Sequence, residues 1–391
     1  MRRLSLRTAA IVGAFVLPVP FLSLGVTQAR AEHQALYRVR HLGSLGGTTG
    51  AGNSINNRAW IAGTSNLTGD QATHATLWRD GDTIDLGTLG GPNSAVLWPV
   101  KNEAGMIVGV AETGQVDPLG EAWSCSFFFP SATGHTCLGF VWQDDQMEPL
   151  ATLGGNNGFA TGANNRGQIV GWAENTVHDP TCNAPQVLQF RAVVWDAHGA
   201  VAQELPPLSG DTASAATAIN DRGQVVGISG ICDNAVGRFS AAHAVMWSGG
   251  SVVDLGDLGG EAWNTPMAIN HRGEVVGFAN VSEGGAFNAH AFRWTETSGM
   301  QDLGTLPGDA ISQALGVNGR GQVVGLSCGR AGCSAFLWED EEMTDLNNLV
   351  APDDSGHLVF ANDINDAGEI TGQAIDPVTG DAVAFMAAPT Q

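Results

Sequence analysis

The sequence predicts an all-β fold, and three observations lead to that prediction. The 391 residues include 53 glycines, which helices tolerate poorly. One unit of about 50 residues recurs along the chain, and it contains short strand-like runs but no helical periodicity. Only 14% of the residues are charged while 43% are hydrophobic, which is typical of a folded chain with many turns.

The repeated unit is marked by a Leu-x-x-Leu phrase that occurs seven times. An asparagine-containing turn phrase follows each copy, and then a short apolar run that ends in tryptophan, with Ala387 in place of the last tryptophan. Repeats of this length predict a propeller or a solenoid. The Leu-x-x-Leu phrases lie at 41–47, 85–91, 149–155, 204–210, 254–260, 302–308 and 345–351.

Each unit contains four strand signals, lettered a to d. Strand a is a stretch of small residues, strand b a Val-Val-Gly run, strand c ends in tryptophan, and strand d carries the Leu-x-x-Leu phrase. The Asn-x-x-Gly sequence between a and b predicts a tight hairpin, in which the asparagine side chain bonds nearby backbone and the glycine takes a positive φ. That asparagine and the glycine closing strand b are seven positions apart in every unit, because an insertion would turn buried side chains outward. The asparagines are Asn56, Asn102, Asn164, Asn220, Asn270, Asn318 and Asn365.

Seven such units predict a seven-bladed β-propeller with four antiparallel strands per blade. Strand a should be innermost, because its small side chains fit a crowded axis. The last unit lacks a strand d, whereas residues 35–45 form an unpaired strand d, so the N-terminal strand is expected to complete the last blade and remove two exposed edges. The prediction is one domain over residues 32–391; an open solenoid would need capping repeats.

These phrases resemble the HAF-repeat family of bacterial extracellular proteins. The family's tripeptide occurs as His290-Ala291-Phe292, and the resemblance covers nearly the whole chain after the leader. It implies secretion and a repetitive β fold, but no general activity. The histidine is replaced in four of the seven units, which argues against a shared catalytic histidine.

Residues 1–31 are predicted to be a secretory signal peptide. Three arginines precede an apolar run over residues 9–24, and small residues follow at 29–31, where a signal peptidase would cut. A membrane anchor is the alternative, but the run is short and two prolines interrupt it. We therefore expect a secreted protein, extracellular or periplasmic, without membrane insertion.

The charges and the cysteines narrow the partners and the compartment. With 39 acidic and 17 basic side chains the chain is strongly acidic, so nucleic acid is not expected as a partner. Six cysteines suit an oxidising compartment. Metal ligation is the alternative, but no paired CxxC arrangement occurs. Among the fifteen pairings that six cysteines allow, local pairs are the most economical: Cys125 with Cys137, Cys328 with Cys333, and the remaining Cys182 with Cys232.

Variation between the units indicates the functional surface. The distance from the glycine closing strand b to the end of strand c ranges from 13 to 33 residues, whereas the a-to-b turns do not vary. In a propeller the b-to-c and d-to-a loops emerge on one face, and variable loops on a rigid scaffold commonly carry recognition. We therefore expect a binding or interaction module that presents this face to an extracellular carbohydrate or protein ligand.

The longest insertion, residues 110–136, supplies most of the candidate contacts. Its aromatic side chains could stack on a sugar ring or on an apolar partner. The alternative is that this loop folds over its own blade and buries those rings. The histidines that open strand c, His74, His243 and His290, are expected to bond loop backbone, with a ligand contact as the alternative. His135 and the His178-Asp179 pair lie in insertions and could meet a metal. The candidate ligand-binding residues are Trp123, Phe127, Phe128, Phe129, His135, His178 and Asp179.

The sequence contains no recognisable enzyme signature: neither His-Glu-x-x-His, nor Gly-x-Ser-x-Gly, nor a phosphate-binding loop occurs. A non-enzymatic role is favoured, with an extracellular polysaccharide hydrolase or lyase acting at the channel mouth as the first alternative and a structural surface or matrix component as the second. Carboxylates converging with a histidine or arginine at a channel mouth would favour the enzyme. No cofactor is predicted, calcium remains open, and a monomer is expected.

Overall fold

The strands of the repeated units pair as hairpins in a computed structural model of the protein. The model describes residues 36–100, 102–121, 128–234, 237–282, 285, 287–351 and 356–390, so the predicted signal peptide lies outside the described residues. These residues form an all-β structure of six hydrogen-bonded sheets, with one short 3-10 turn at Leu346–Asn348.

Five of the sheets have four antiparallel strands that follow one another in the sequence. The second unit supplies β6 (Gly90–Ala95), β7 (Ile107–Val116), β8 (His135–Gln143) and β9 (Gln146–Pro149). The next two supply β10 (Gly154–Ala163), β11 (Ile169–His178), β12 (Leu188–Trp195), β13 (Val201–Leu205), β14 (Ala213–Ile219), β15 (Val225–Gly230), β16 (His243–Ser248) and β17 (Ser251–Asp254). The fifth and sixth supply β18 (Thr265–Ile269), β19 (Val275–Asn280), β20 (Ala289–Thr295), β21 (Gly299–Gly304), β22 (Ile311–Val317), β23 (Val323–Gly329), β24 (Gly332–Glu339) and β25 (Glu342–Asp345).

The remaining sheet has eight strands in two groups of four. Strand β1 pairs antiparallel with β28, from Tyr37 opposite Pro389 to His41 opposite Phe385. The two groups are joined by a single parallel pair, Thr49 and Ala382. One group contains β2 (Gly46–Ile55), β3 (Ile61–Leu67), β4 (Thr73–Arg79) and β5 (Asp82–Asp85); the other contains β26 (His357–Ile364), β27 (Ile370–Ile375), β28 (Ala382–Pro389) and β1 (Tyr37–His41).

The glycine that closes strand b is required by the close approach of strand a. A Cβ atom on Gly171 would lie 1.9 Å from the carbonyl oxygen of Phe159, and one on Gly227 would lie 2.1 Å from that of Ala215. The same clash recurs in all seven units. No other residue fits there, which explains why the Val-Val-Gly phrase ends in glycine.

The asparagine of each a-to-b turn bonds both its own turn and the next one. In Asn220, Oδ1 accepts the backbone N–H groups of Arg222 and Gln224 at 3.0 and 3.1 Å. Its Nδ2 donates to the carbonyl oxygen of Asn270, at the same turn position of the following unit. The corresponding bond occurs in every unit, and the last one, from Asn365 to Asn56, closes a circuit. The bonds run from Asn56 to Asn102, Asn164, Asn220, Asn270, Asn318, Asn365 and back to Asn56.

The core lies between neighbouring sheets. All seven residues of strand β14 are buried, in keeping with the small side chains of strand a. Val194 and Leu205 of one sheet share a hydrophobic cluster with Ala216 and Trp247 of the next. The tryptophans that end strand c also bond across the sheets, because the indole N–H groups of Trp78, Trp195 and Trp247 each donate to a loop carbonyl at 2.7 Å.

Candidate functional site

The b-to-c loops of three consecutive units, the second to the fourth, contact one another at the end of the molecule where strand b leaves each sheet. We call this end the loop face. Glu121, in the loop after β7, accepts the backbone N–H groups of Val187 and Leu188, which precede and begin β12. The loop of the third unit is joined to that of the fourth by the Cys182–Cys232 disulfide. These contacts connect the separate loops into one surface.

Most of the exposed apolar side chains lie on this loop face. Ten large hydrophobic residues are exposed in the described part of the chain, and eight of them belong to b-to-c loops or to the adjoining strand ends. The two others, Leu36 and Val253, lie elsewhere. Such a concentration of apolar surface is typical of an interaction site. The eight residues are Val116, Leu119, Val177, Ile231, Phe239, Phe287, Ile375 and Val378.

A small aromatic cluster lies between the loops of the fourth and fifth units. Trp263 meets Phe287 edge to face with their ring centroids 5.6 Å apart, and the Arg238 guanidinium lies 4.9 Å from the ring centroid of Phe239. Ala262 and Trp263 both have positive φ, at 60° and 55°. Consecutive left-handed residues that are not glycine are strained, and such strain is concentrated at functional sites. The sequence patterns did not indicate this cluster.

The described aromatic residues of the longest insertion pack inward. Phe129 is 7% exposed and belongs to a buried cluster with Trp98, Phe159 and Trp172. Phe128 is half-buried and meets Trp98 edge to face at 6.0 Å. This packing is what the alternative to an exposed stacking surface predicts. Trp123 and Phe127 lie outside the described residues.

The other candidate contacts are separated from one another. His135 is half-buried, and its Nδ1 lies 2.7 Å from the carbonyl oxygen of Thr113. His178 is exposed at the end of β11. Asp179 is 7% exposed, and burial by itself would raise the pKa of its carboxyl. Hydrogen bonds from Thr181 and Gln189 outweigh the burial and hold that pKa below the ordinary value. The structure thus brings His178 and Asp179 to one loop but turns only the histidine to solvent.

The disulfides follow the predicted pairing wherever both cysteines are described. Cys182 is bonded to Cys232, and Cys328 to Cys333 across the β23–β24 hairpin. Cys137 is disulfide-bonded as well, while Cys125 lies outside the described residues. The loop face is thus covalently fixed between the third and fourth units.

Two glutamates are buried where the loop after β7 meets the third unit. Glu121 is 0% exposed and Glu174, on β11, is 3% exposed. The Glu174 carboxylate accepts hydrogen bonds from Gln186 and from the backbone and side chain of Asn157. Burial, together with the nearby Glu121 carboxyl, raises the pKa of Glu174 to about 7 despite these bonds.

The opposite face contains the mouth of a cavity of about 120 Å³, which is lined by the a-to-b turns and by the aliphatic side chains that precede them. The carboxylates of Glu103, Asp221 and Asp366 and the exposed ring of His271 converge there. The carboxylates also bond the neighbouring turns: the Asp366 Oδ1, for example, accepts the Gly319 N–H at 2.7 Å. The cavity is smaller than the roughly 300–1,000 Å³ of typical small-molecule sites.

Three histidines that open strand c pair with aspartates of strand d rather than with loop backbone. His74 bonds Asp85 at 2.8 Å, His243 bonds Asp254 at 3.0 Å, and His290 bonds Asp302 at 2.9 Å. In the third unit the same positions hold Arg191 and Glu204, whose side chains are 3.3 Å apart. A basic residue matched to an acidic one within a unit is the sequence signal that could have revealed these pairs.

Metal-binding and membrane-spanning features were sought in the described residues. In that part of the chain no three histidine, cysteine or acidic side chains lie close enough to hold a metal ion. No helix there has the length and apolar character needed to cross a membrane.

Comparison with known proteins identifies the fold. No protein-family model and no curated protein matches the chain. Among solved structures, the β-propeller domain of the Trilobed protease from Pyrococcus furiosus is similar at a TM-score of 0.50 and 10% identity, covering 86% of this chain and 92% of that one. The Pyrococcus horikoshii acylaminoacyl peptidase is similar at a TM-score of 0.51 and 11% identity, covering 88% of this chain. The chain covers 52% of that peptidase, about half its length. The protein is therefore a β-propeller, and at these identities the likeness extends to the fold alone.

Proposed function

We propose that the chain is a secreted, monomeric, seven-bladed β-propeller that binds an extracellular carbohydrate or protein through its loop face. The seven-asparagine circuit and the division of the eight-stranded sheet into two groups of four support the blade count. The β1–β28 pairing supports completion of the last blade by the N-terminal strand. One domain over residues 32–391 and membership of the HAF-repeat family are parts of the same proposal.

Secretion is supported by the cysteine chemistry. Two disulfides join described cysteines, and such bonds persist in oxidising compartments. The basic and apolar pattern of residues 1–31 supports a cleaved signal peptide. Intact-mass measurement of the protein from the culture medium or periplasm tests this: a mature chain beginning at Glu32 is expected, whereas retention of the leader would contradict it.

The location of the exposed apolar side chains is the main support for the proposed binding role. Eight of the ten in the described residues lie on the loop face. The Cys182–Cys232 disulfide fixes the loops of the third and fourth units to each other, so less conformational entropy is lost there when a ligand binds. The proposed function is therefore recognition by the exposed side chains of the loop face.

A carbohydrate is the ligand that the aromatic cluster fits best. The Trp263 and Phe287 rings can stack on the apolar face of a sugar, and the half-buried Arg238 and the exposed Glu261 supply hydrogen-bonding groups beside them. Phe287 is 38% exposed, which leaves ring surface for such a contact. A protein ligand would use the wider apolar surface.

A glycan array with the mature protein tests the carbohydrate ligand. We expect selective retention, and we expect Trp263→Ala or Phe287→Ala to weaken it at least about tenfold, because each removes a stacking contact. Val253→Ala is the matched control, since Val253 is 52% exposed but lies away from the loop face. Equal binding by Trp263→Ala and the control would exclude the aromatic cluster as the site.

The enzyme alternative has its own supporting observation. Three carboxylates and His271 converge at the mouth of the cavity on the opposite face. A polysaccharide-cleavage screen with wild type and Asp221→Asn tests it: new reducing or unsaturated ends that disappear in the variant would favour a hydrolase or lyase. Retention on the array without cleavage favours the binding module. No signal in either experiment favours a structural surface or matrix component.

A further inference from the structure

Glu121 and Glu174 belong to different units but are buried at one contact. Glu121 Oε1 accepts the backbone N–H groups of both Val187 and Leu188, so this side chain attaches the segment 117–121 to the start of β12. Its other oxygen, Oε2, is buried and has no hydrogen-bond partner among the described residues. Such an oxygen is costly to leave charged, because a buried carboxylate needs a donor or a cation to replace water.

Several groups donate hydrogen bonds to Glu174, but no basic side chain pairs with it in the described residues. On the neighbouring strand β10, Asn157 donates from Nδ2 both to Glu174 and to Asp117, which lies in the same loop as Glu121. On β12, the nearest basic residue along the strand is Arg191, and its guanidinium is paired with Glu204. Further along the chain from Glu174, His178 is exposed, and the Asp179 carboxylate accepts hydrogen bonds from Thr181 and Gln189. Ionisation of both glutamates would therefore place two negative charges in a buried site without a counter-ion.

We propose that Glu174 is protonated while the segment 117–121 lies on β12, and that loss of this proton, next to the buried Glu121 side chain, releases the segment. Glu174 is fixed within a strand, whereas Glu121 is in a loop, so hydration of the charge is achieved by moving Glu121 outward. The pair is thus a pH sensor that controls how firmly the loop of the second unit lies on the loop face.

The raised pKa of Glu174 determines how the opening of the segment 117–121 depends on pH. The pKa of the Glu174 carboxyl rises from 4.5 to about 7 in the folded protein. The closed contact is therefore fully stabilised below about pH 4.5, weakens as the pH rises, and has lost this contribution above about pH 7. Glu174 stays buried on β11 when Glu121 moves outward, so only the part of the shift caused by the Glu121 carboxyl is relieved, and the opening equilibrium should increase severalfold between pH 5 and pH 8.

Hydrogen exchange measures this opening directly. We expect the amides of Val187 and Leu188, after correction for the intrinsic pH dependence of exchange, to lose protection severalfold between pH 5 and pH 8 in the wild type. Glu174→Gln cannot ionise and should keep protection at both values. Glu121→Gln, which removes the carboxyl that an ionised Glu174 would repel, should reduce the pH dependence as well.

Glu112→Gln is the matched control. Glu112 is 1% exposed and bonds Asn93 and Thr133, but it makes no contact with β12 in the described residues. This variant should retain the wild-type pH dependence. The same protection at pH 5 and pH 8 in the wild type, or an undiminished pH difference in Glu174→Gln, would overturn the proposal. No ligand enters the measurement, so its outcome is independent of the proposed binding function.

Discussion

The side-chain amide of Asn365 donates to the carbonyl oxygen of Asn56 at 3.0 Å, across 309 positions of sequence. Six bonds of the same kind join the other turns, and together they form a closed circuit. A side chain that hydrogen-bonds its own turn through Oδ1 and the next turn through Nδ2 couples the local hairpin to its neighbour. The asparagine therefore serves the hairpin and the assembly at once.

Removing one link of this circuit should destabilise the whole protein. Asn365→Ala deprives the N–H groups of Ala367 and Glu369 of their side-chain acceptor and removes one of the two donors to the carbonyl oxygen of Asn56, so we expect the free energy of unfolding to fall by about 3 kcal/mol. Urea denaturation followed by tryptophan fluorescence measures this. Asn165→Ala removes two solvent-exposed side-chain bonds, one to Asp221 and one from the Glu103 N–H, and should cost less than about 1 kcal/mol. Equal losses would mean that burial of the circuit contributes nothing.

The first turn offers a stabilising substitution. Ala59 has φ 59° at the position where the other six turns have glycine. Ala59→Gly should raise the free energy of unfolding by about 1 kcal/mol, because a left-handed conformation costs alanine more than glycine. Gly273→Ala, at the same position of the fifth turn with φ 88°, should lower it by a similar amount. Changes of the same sign in thermal denaturation would contradict this explanation.

Glu274 predicts a loss of stability in acid. Burial opposes its ionisation, but hydrogen bonds from Arg272, Asn270 and Arg293 outweigh the burial and hold the pKa of Glu274 below 4.5. Its contribution is therefore present above about pH 4.5 and is lost as the pH falls through the lowered pKa. Glu274→Gln should cost about 1–2 kcal/mol at pH 7 and much less at pH 3. Urea titrations at both values measure this; a penalty that does not change with pH would show that charge is not the cause.

The two fully described disulfides should differ in their effect on stability. Cys182–Cys232 closes 50 residues of chain and Cys328–Cys333 closes 5. In the chain-entropy model, Cys182→Ser with Cys232→Ser should cost about 4 kcal/mol, and Cys328→Ser with Cys333→Ser about 2 kcal/mol. Denaturation of the two double variants tests the order. The reverse order would assign the stabilisation to local packing.

The all-β architecture and its hairpins were predictable because their signals are local. The constant distance from Asn220 to Gly227 reflects one tight turn and one clash with strand a, and both act within a dozen residues. The bond from Asn220 to Asn270 was not predicted, because it joins turns whose contact depends on how the sheets pack. The repeat pattern shows that the units are similar, but it does not show which atoms of neighbouring units are in contact.

The sequence indicated the loop face but not the rings at its surface, for a similar reason. The length of a loop does not determine which of its rings turn outward. Phe129 turns into the core, whereas Trp263 is half-buried at a pair of consecutive left-handed residues that no local pattern predicts. The Glu121–Glu174 contact combines a loop of one unit with a strand of the next, so neither sequence segment reveals it alone.

Because β1 pairs with β28, the order in which the chain connects the strands could be changed without altering the sheets. The N–H of Thr390 donates to the carbonyl oxygen of Leu36 at 2.8 Å, so the two described ends are neighbours. A short flexible linker could join them, and new termini could be opened at the exposed Gly249–Gly250 turn without interrupting a strand. Such a circular permutant would keep every sheet. A domain fused to its new termini would lie at a different place on the molecule.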